Sequence, residues 1–299
     1  MNEKYLIFHV EGGLGKNIAA TAVLTHLKKQ HADRNIVVVA SYPEIFLNNE
    51  NVYRTYKIGN TPYFFDNYIK DKDTIVMRKE PYHENDHIMR NTPLYETWFN
   101  MYGISYDKKT IKPYLPMNGA QKLLVNVWNS DKPIFLIHTN GGPLDVGMQP
   151  NSYAWTRDMP MNIAQEITNE AARKYHVVQV CRENSYQLQN AQRIDKPMTN
   201  FELFSLVLAS SKRLFIDSSL HHAAAAYDLE SVVLWIGTDP KMFGYPVHHN
   251  IKAEDPSGKI NKIDSYIFDY DFNGHFHEYP YYDHEKLFDT KKILKELNL

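Results

Sequence analysis

The segment of this sequence best suited to chemistry is Asp217-Ser218-Ser219-Leu220-His221-His222, followed by Ala223-Ala224-Ala225-Ala226. Apolar Leu214–Ile216 precedes it, so a buried strand ends here, two small hydroxyl residues follow and an alanine-rich helix begins. Small side chains let a diphosphate approach the backbone. A helix N-terminus supplies N–H donors and a partial positive charge. Ser218 and Ser219 can donate further hydrogen bonds, and a histidine in the first turn can add another. The same residues could serve the helix alone, with Asp217 or Ser218 as its cap and the alanines for close packing. The residues by themselves leave both readings open.

A second candidate is Glu11-Gly12-Gly13-Leu14-Gly15-Lys16, after the apolar run Tyr5–Val10. A dinucleotide fingerprint starting at Gly13 and Gly15 would need a third glycine where Ile18 stands, and an acid where Ala40-Ser41 stands. A P-loop would need Ser or Thr after Lys16, where Asn17 stands, and a glycine at Val10. With both excluded, Gly12, Gly13, Gly15 and Lys16 form a tight turn into a helix, either a general anion or acceptor loop or a plain strand-to-helix turn. Three more strand ends run into small or polar residues: His138-Thr139-Asn140-Gly141-Gly142, Arg182-Glu183-Asn184-Ser185 and Gly237-Thr238-Asp239-Pro240. Thr139, Asn140, Arg182 and Glu183 join the candidate ligand contacts, because open parallel sheets bind ligands beyond the carboxyl ends of their strands. His83 and His87, with Glu84 and Asp86, have metal-ligand spacing but no matching cysteines, and no metal is expected. His275, His277 and His284, with Tyr279, Tyr281 and Tyr282, form an aromatic stretch suited to an acceptor cleft or a domain junction. No nucleophile elbow is present.

These loops need rigid elements to hold them. Continuous apolar runs at Tyr5–Val10, Ile36–Ala40, Ile134–His138, Val177–Cys181, Leu214–Ile216 and Val232–Ile236 predict strands buried on both faces. Val52–Ile58 and Thr74–Met77 read as further strands. Ala20, Val23, Leu24 and Leu27 recur at helical spacing, as do Ile163, Ile167 and Ala171. Asn91–Tyr102 reads as a helix, the polar stretch Lys79–Arg90 as a loop, and Thr199-Asn200-Phe201-Glu202 as a capping box. Strand and helix alternate twice, with a proline-containing passage over 107–132 between the two runs. The expected fold is α/β: two doubly wound, Rossmann-like domains facing a cleft. Expected boundaries are 1–118 for an acceptor-side domain, 119–285 for a donor domain, and 286–299 for a terminal helix packing back on the first.

The bulk properties narrow the partners. A chain of 299 residues suits two domains of about 150 residues each. The formal net charge of −2 gives no general pull toward nucleic acid or anionic membrane. A single cysteine, Cys181, rules out an intrachain disulfide and suits a cytoplasmic protein. No apolar run approaches the roughly 20 residues that span a bilayer, so stable membrane insertion is not expected.

The run Asp-Ser-small-x-x-His-x-Ala-Ala, then a strand and Gly237-Thr238-Asp239-Pro240, resembles the donor half of glycosyltransferase family 9, the ADP-heptose:lipopolysaccharide heptosyltransferase-like enzymes. Residues 199–244 carry most of the resemblance. Gly12-Gly13-Leu14-Gly15 looks like the family's opening loop, and Trp155-Thr156-Arg157-Asp158-Met159-Pro160 like its Trp/Arg-Pro turn. The resemblance implies the GT-B fold and metal-independent transfer of a sugar from a nucleotide-diphosphate sugar to a hydroxyl acceptor, with no cofactor. By position, Ser218, Ser219 and Leu220 would contact the diphosphate and His222 would be the motif histidine. Where the family places its general base, an aspartate ending the loop, this chain has Lys16. A charged lysine is a poor base. Glu11 becomes the candidate, with Asp145, His83 and Asp86 behind it, and the acceptor is left open. Three alternatives remain: a phage-type enzyme glycosylating hydroxymethylated bases in DNA, a non-catalytic nucleotide-sugar binder, and a sugar-nucleotide epimerase. The DNA alternative needs a basic track, for which Lys108-Lys109-x-x-Lys112 and Lys212-Arg213 are candidates.

Overall fold

The computed structural model describes residues 3–141, 157–183, 185–194, 197–254 and 283–299. Gly142, Asp145, Trp155, Thr156, Asn184, His275, His277, Tyr279, Tyr281 and Tyr282 lie outside these residues. The chain forms two compact units, Met1–Asn118 and Gly119–Leu299. Among the described residues, no helix is long and apolar enough to cross a membrane.

The first unit carries strands β1 (Lys4–Val10), β2 (Asn35–Ala40), β3 (Val52–Lys57) and β4 (Asp73–Met77), all parallel, in the order β3-β2-β1-β4. The two inner strands are the apolar ones: Leu6, Phe8, Ile36, Val37 and Val38 are fully buried. Edge strand β3 reads Val-Tyr-Arg-Thr-Tyr-Lys and is largely exposed or half-buried, as a strand wetted on one side can be. Helix α1 (Leu14–Gln30) links β1 to β2 and ends on Lys28 and Lys29, cations that suit the negative end of its dipole. Helix α2 (Leu94–Met101) lies against it, with Phe99 edge-on to His26 at 4.9 Å between ring centroids. The stretch expected as a loop over 79–90 contains a 3-10 turn at Pro81–His83 and a short helix at Asn85–Ile88.

The passage after Asn118 opens the second unit with a short helix, Gly119–Leu123, and a 3-10 turn, Leu124–Val127. The Trp128 indole N–H donates to Ser205 Oγ at 2.8 Å and docks the passage there. Strands β5 (Ile134–His138), β6 (His176–Val180), β7 (Gln192–Arg193), β8 (Ser210–Ile216), β9 (Val232–Trp235) and β10 (His249–Lys252) follow. They are again parallel, in the order β10-β9-β8-β5-β6-β7. Helices α3 (Met161–Ala171), α4 (Asn200–Ala209) and α5 (Ser219–Ala226) cross between them. Thr199 and Glu202 form the expected capping box at the start of α4.

The last helix, α6 (Thr290–Leu297), is part of the second unit's own core, with Ile293 and Leu297 buried among Phe135, Ile163, Ile167 and Leu214. Ile293 and Leu297 are one helical turn apart and form a narrow apolar stripe, worth about 2 kcal/mol per buried side chain. Thr290 adds a 2.7 Å hydrogen bond to Glu166 of α3.

Candidate functional site

Each sheet has one place where the chain reverses its direction of travel across the strands. In the second unit it lies between β5 and β8: β5 leads outward to β6, and β8 leads the other way to β9. In the first unit it lies between β1 and β4. Connections leaving a parallel sheet in opposite directions open a crevice beyond the strand ends.

At the second unit's switch point, Ser218 caps α5, its Oγ accepting the Leu220 N–H at 3.3 Å. The same Oγ meets His138 Nδ1, from the end of β5, at 2.8 Å. The two strand ends are therefore tied directly together. Gly141 allows the approach: a Cβ there would stand 3.2 Å from Ile216 Cδ1 and 3.5 Å from the Asp217 carbonyl oxygen. Ser218 is buried and Ser219 half-buried, so Ser219 is the more open hydroxyl at the helix start.

Beneath this edge lies a buried polar cluster. Asp217 sits 3.7 Å from Arg157 Nε and 3.2 Å from His221 Nε2. Burial alone would push the Asp217 carboxyl up. The Arg157 cation and the His221 hydrogen bond outweigh burial and hold it well below the usual carboxylate range. The ionised carboxylate only accepts, so His221 Nε2–H donates to it. His222 Nδ1 pairs with the Tyr245 hydroxyl at 2.7 Å, and His248 Nε2 donates to the His221 carbonyl at 2.9 Å. Burial pushes His138 down to about 4 and His248 to about 3, and holds His222 well below the ordinary value. These three rings are neutral at pH 7. Asp217, His221 and His222 offer ligand atoms within 4.8 Å of one another, a donor set a metal could also use. Here the Asp217 and His221 atoms bind each other and His222 binds Tyr245.

The other expected contacts are arranged differently. Thr139 is fully buried, donating to Asn140 Oδ1 at 2.8 Å and accepting from Gln179 at 3.1 Å. Asn140 is buried too. Arg182 pairs with Asp158 and donates to the Gly141 carbonyl at 2.7 Å, so it braces the β5 loop. Exposed Glu183 follows, its carbonyl held by Arg193. Arg213, half of one proposed basic track, is buried and bound to the Ser210 and Glu230 carbonyls. Lys108, in the other track, is paired with Glu96 at 2.8 Å.

At the first unit's switch point, Gly12 takes a φ of +98°, a conformation side chains disfavour, and Gly13 caps α1. Gly15 lies in the first turn of α1. Asn17 Nδ2 donates to the Gly12 and Gly13 carbonyls at 3.2 and 2.9 Å, fixing the loop. Lys16 turns inward and becomes buried, its ammonium bound to both carboxylate oxygens of Glu80, which lies just beyond β4. The Tyr82 ring covers the ammonium at 4.6 Å. Burial draws the Lys16 pKa down, and Glu80 works against that shift. Glu11 is exposed, 3.5 Å from His9 and 3.6 Å from Arg78. His9, Glu11, Lys16, Glu80, Tyr82 and Trp98 line a cavity of about 440 Å³. His83 also reaches its wall, whereas His87 is buried in the helix that follows. Asp86 is bound to Asn100 at 3.2 Å.

No protein-family model matches the chain, and no curated protein sequence matches it. Solved structures do. A glycosyl transferase family 9 protein from Veillonella parvula superposes with a TM-score of 0.66 at 12% identity, covering 99% of this chain and 96% of that one. The E. coli ADP-heptose LPS heptosyltransferase II gives 0.59 at 14% identity, with 98% and 97% covered. The E. coli dodecameric iron-containing heptosyltransferase TibC, in complex with ADP-D-beta-D-heptose, gives 0.60 at 12% identity, with 100% and 75% covered. The chain has the GT-B fold. Asp217 and Ser218 join β8 to α5, and Ser219, Leu220, His221 and His222 form the first turn of that helix.

Four participants escaped the sequence reading. Glu80 was one polar residue in a polar stretch; its signal was its position three residues beyond β4. Tyr245 and His248 come from a segment with no strand of its own. His138 was visible at a strand end, but only the sheet order makes it a neighbour of Ser218.

Proposed function

We propose that this protein is a glycosyltransferase that moves a sugar from a nucleotide-diphosphate sugar to a hydroxyl acceptor, without a metal. The observation that carries the reading is the second sheet's switch point, where His138 and Ser218 join β5 to the start of α5. Gly141 and Ser219 keep that edge narrow in side chain, and the α5 N-terminus offers N–H groups to a diphosphate. Arg157 brings a cation to the same strand end. Ser218, Ser219 and Leu220 are the proposed diphosphate contacts. Buried His222 supports the helix start through Tyr245. The fold neighbours include a heptosyltransferase with ADP and one with ADP-D-beta-D-heptose, which makes ADP-sugars the first donors to try.

The transfer needs a group to take the acceptor's proton. The first unit offers two carboxylates for that, Glu11 and Glu80. Donor recognition is tested by thermal unfolding against ADP-, UDP-, GDP- and dTDP-sugars and the free diphosphates. A true donor at about a hundredfold its Kd should stabilise the fold by about 3 kcal/mol. Ser219→Trp, which blocks the helix start, should remove that stabilisation. If no nucleotide of the series stabilises the protein, the reading fails.

A further inference from the structure

The charged cavity of the first unit is not explained by the donor site. Its charges are arranged unequally. The Glu11 side chain is 52% exposed and, among the described residues, has long contacts to His9 and Arg78. The Glu80 side chain is 29% exposed and fixed by two groups: Lys16 Nζ binds both oxygens, and the Tyr82 N–H donates to Oε1 at 3.2 Å. Its remaining accepting capacity faces the cavity that it lines. On the same wall, the Trp98 indole N–H is buried and has no hydrogen-bond partner among the described residues. A buried donor without a partner costs free energy.

We propose that this cavity holds the acceptor hydroxyl and that Glu80, not Glu11, removes its proton, with Lys16 as the positioning residue. The proposal rests on the transferase reading above. The acceptor class it implies is a compact polyol, such as a sugar ring. Tyr82 and Trp98 supply apolar walls, and the carboxylates accept from hydroxyl groups. As the acceptor oxygen bonds to the donor's anomeric carbon, the bond from that carbon to the diphosphate breaks and the diphosphate leaves with the electron pair. The hydroxyl proton passes to Glu80. Lys16 brings a carboxylate into the crevice by holding Glu80, which lies just beyond β4. Fixed geometry favours Glu80 over Glu11, because a base that is already oriented loses less freedom in the transition state.

The test uses the full chain and the nucleotide-sugar that stabilises it. Release of nucleoside diphosphate is followed with free monosaccharides as acceptors. Glu80→Gln should lower kcat by about a hundredfold or more, the range for a lost general base, while leaving the donor Kd within about twofold. Glu11→Gln should cost at least tenfold less in kcat than Glu80→Gln. Because Glu80→Gln leaves a buried lysine unpaired, the double variant Lys16→Met/Glu80→Gln serves as the folded control. It should bind donor and remain as inactive as Glu80→Gln. Turnover in Glu80→Gln or the double variant within tenfold of wild type overturns the proposal, as does an equal loss in Glu11→Gln. A wild type that binds the donor yet releases no diphosphate with any acceptor removes the transfer reading itself and this proposal with it. A protein that turns over without Glu80 removes only the proposal.

Discussion

The two switch points hold their ion pairs in opposite senses. In the second unit the acid is inside: the Asp217 side chain is 9% exposed and its partner Arg157 26%. In the first unit the cation is inside: the Lys16 side chain is 6% exposed and its partner Glu80 29%. One topology, a parallel sheet with a reversal, thus presents a positive group at one crevice and a negative group at the other. The difference suits two tasks. A crevice whose accessible charge is a guanidinium beside a helix N-terminus favours an anion. In the first unit's crevice, whose wall also carries Arg78 and Lys79, the more exposed member of the Lys16–Glu80 pair is a carboxylate, which favours hydroxyl donors and proton transfer.

The largest predicted effect separates the neutral, buried second site from solvent chemistry. His138 and His248 have folded pKa values near 4 and 3, and that of His222 is also lowered. Unfolded, each titrates near 6.5, so between these values the unfolded chain binds more protons and stability rises with pH. Their contribution is complete above about pH 6.5 and is lost as pH falls toward 4. From pH 6.5 to 5.5, His138 and His248 should each remove about 1 kcal/mol, and His222 adds to the loss in the same direction. His87 in the first unit, near 4, acts in the same direction. Urea unfolding at pH 7.5, 6.5 and 5.5 measures this. A flat profile would show that the rings are not held neutral.

The next prediction sets the two pairs against each other. Glu80→Gln strands a buried lysine and should cost about 3 kcal/mol. Asp217→Asn removes the more deeply buried carboxylate, yet it leaves a guanidinium with access to water and should cost less, about 2 kcal/mol. The expected order is therefore the reverse of what carboxylate burial alone would give. Chemical unfolding of both variants at pH 7.5 checks it. If Asp217→Asn is the more damaging change, the inside-out comparison of the two pairs does not hold.

Much of this arrangement was legible in the sequence. Continuous apolar runs such as Tyr5–Val10 and Ile134–His138 marked the inner strands, because a strand covered on both faces cannot alternate. Thr199 and Glu202 marked a helix start through local hydrogen bonding alone. The small residues after β8 marked a strand end. What could not be read was pairing across distance. Lys16 and Glu80 are 64 residues apart, and His138 and Ser218 are 80 apart. Each pair meets only because the sheet order makes β1 a neighbour of β4 and β5 a neighbour of β8. The terminal helix shows the same limit. Its stripe of Ile293 and Leu297 shows that one face is buried, but not which sheet covers it.

The smallest effect tests whether the first cavity is built for a ligand. Trp98 is 1% exposed, and its N–H lacks a partner among the described residues. Trp98→Phe removes that donor and also some packing volume. The first change is favourable by about 1 kcal/mol or more and the second unfavourable by a similar amount, so the free protein's stability should move by less than about 1 kcal/mol. If a ligand oxygen normally accepts from this N–H, the variant should show a raised KM for acceptor with the donor Kd unchanged. A loss of 3 kcal/mol or more would mean that the indole is chiefly a core side chain. An unchanged acceptor KM would mean that the wall it forms meets no substrate oxygen. Either result would remove Trp98 from the cavity's polar contacts, and would turn the comparison between the two crevices into one between a built site and a wall of charged side chains.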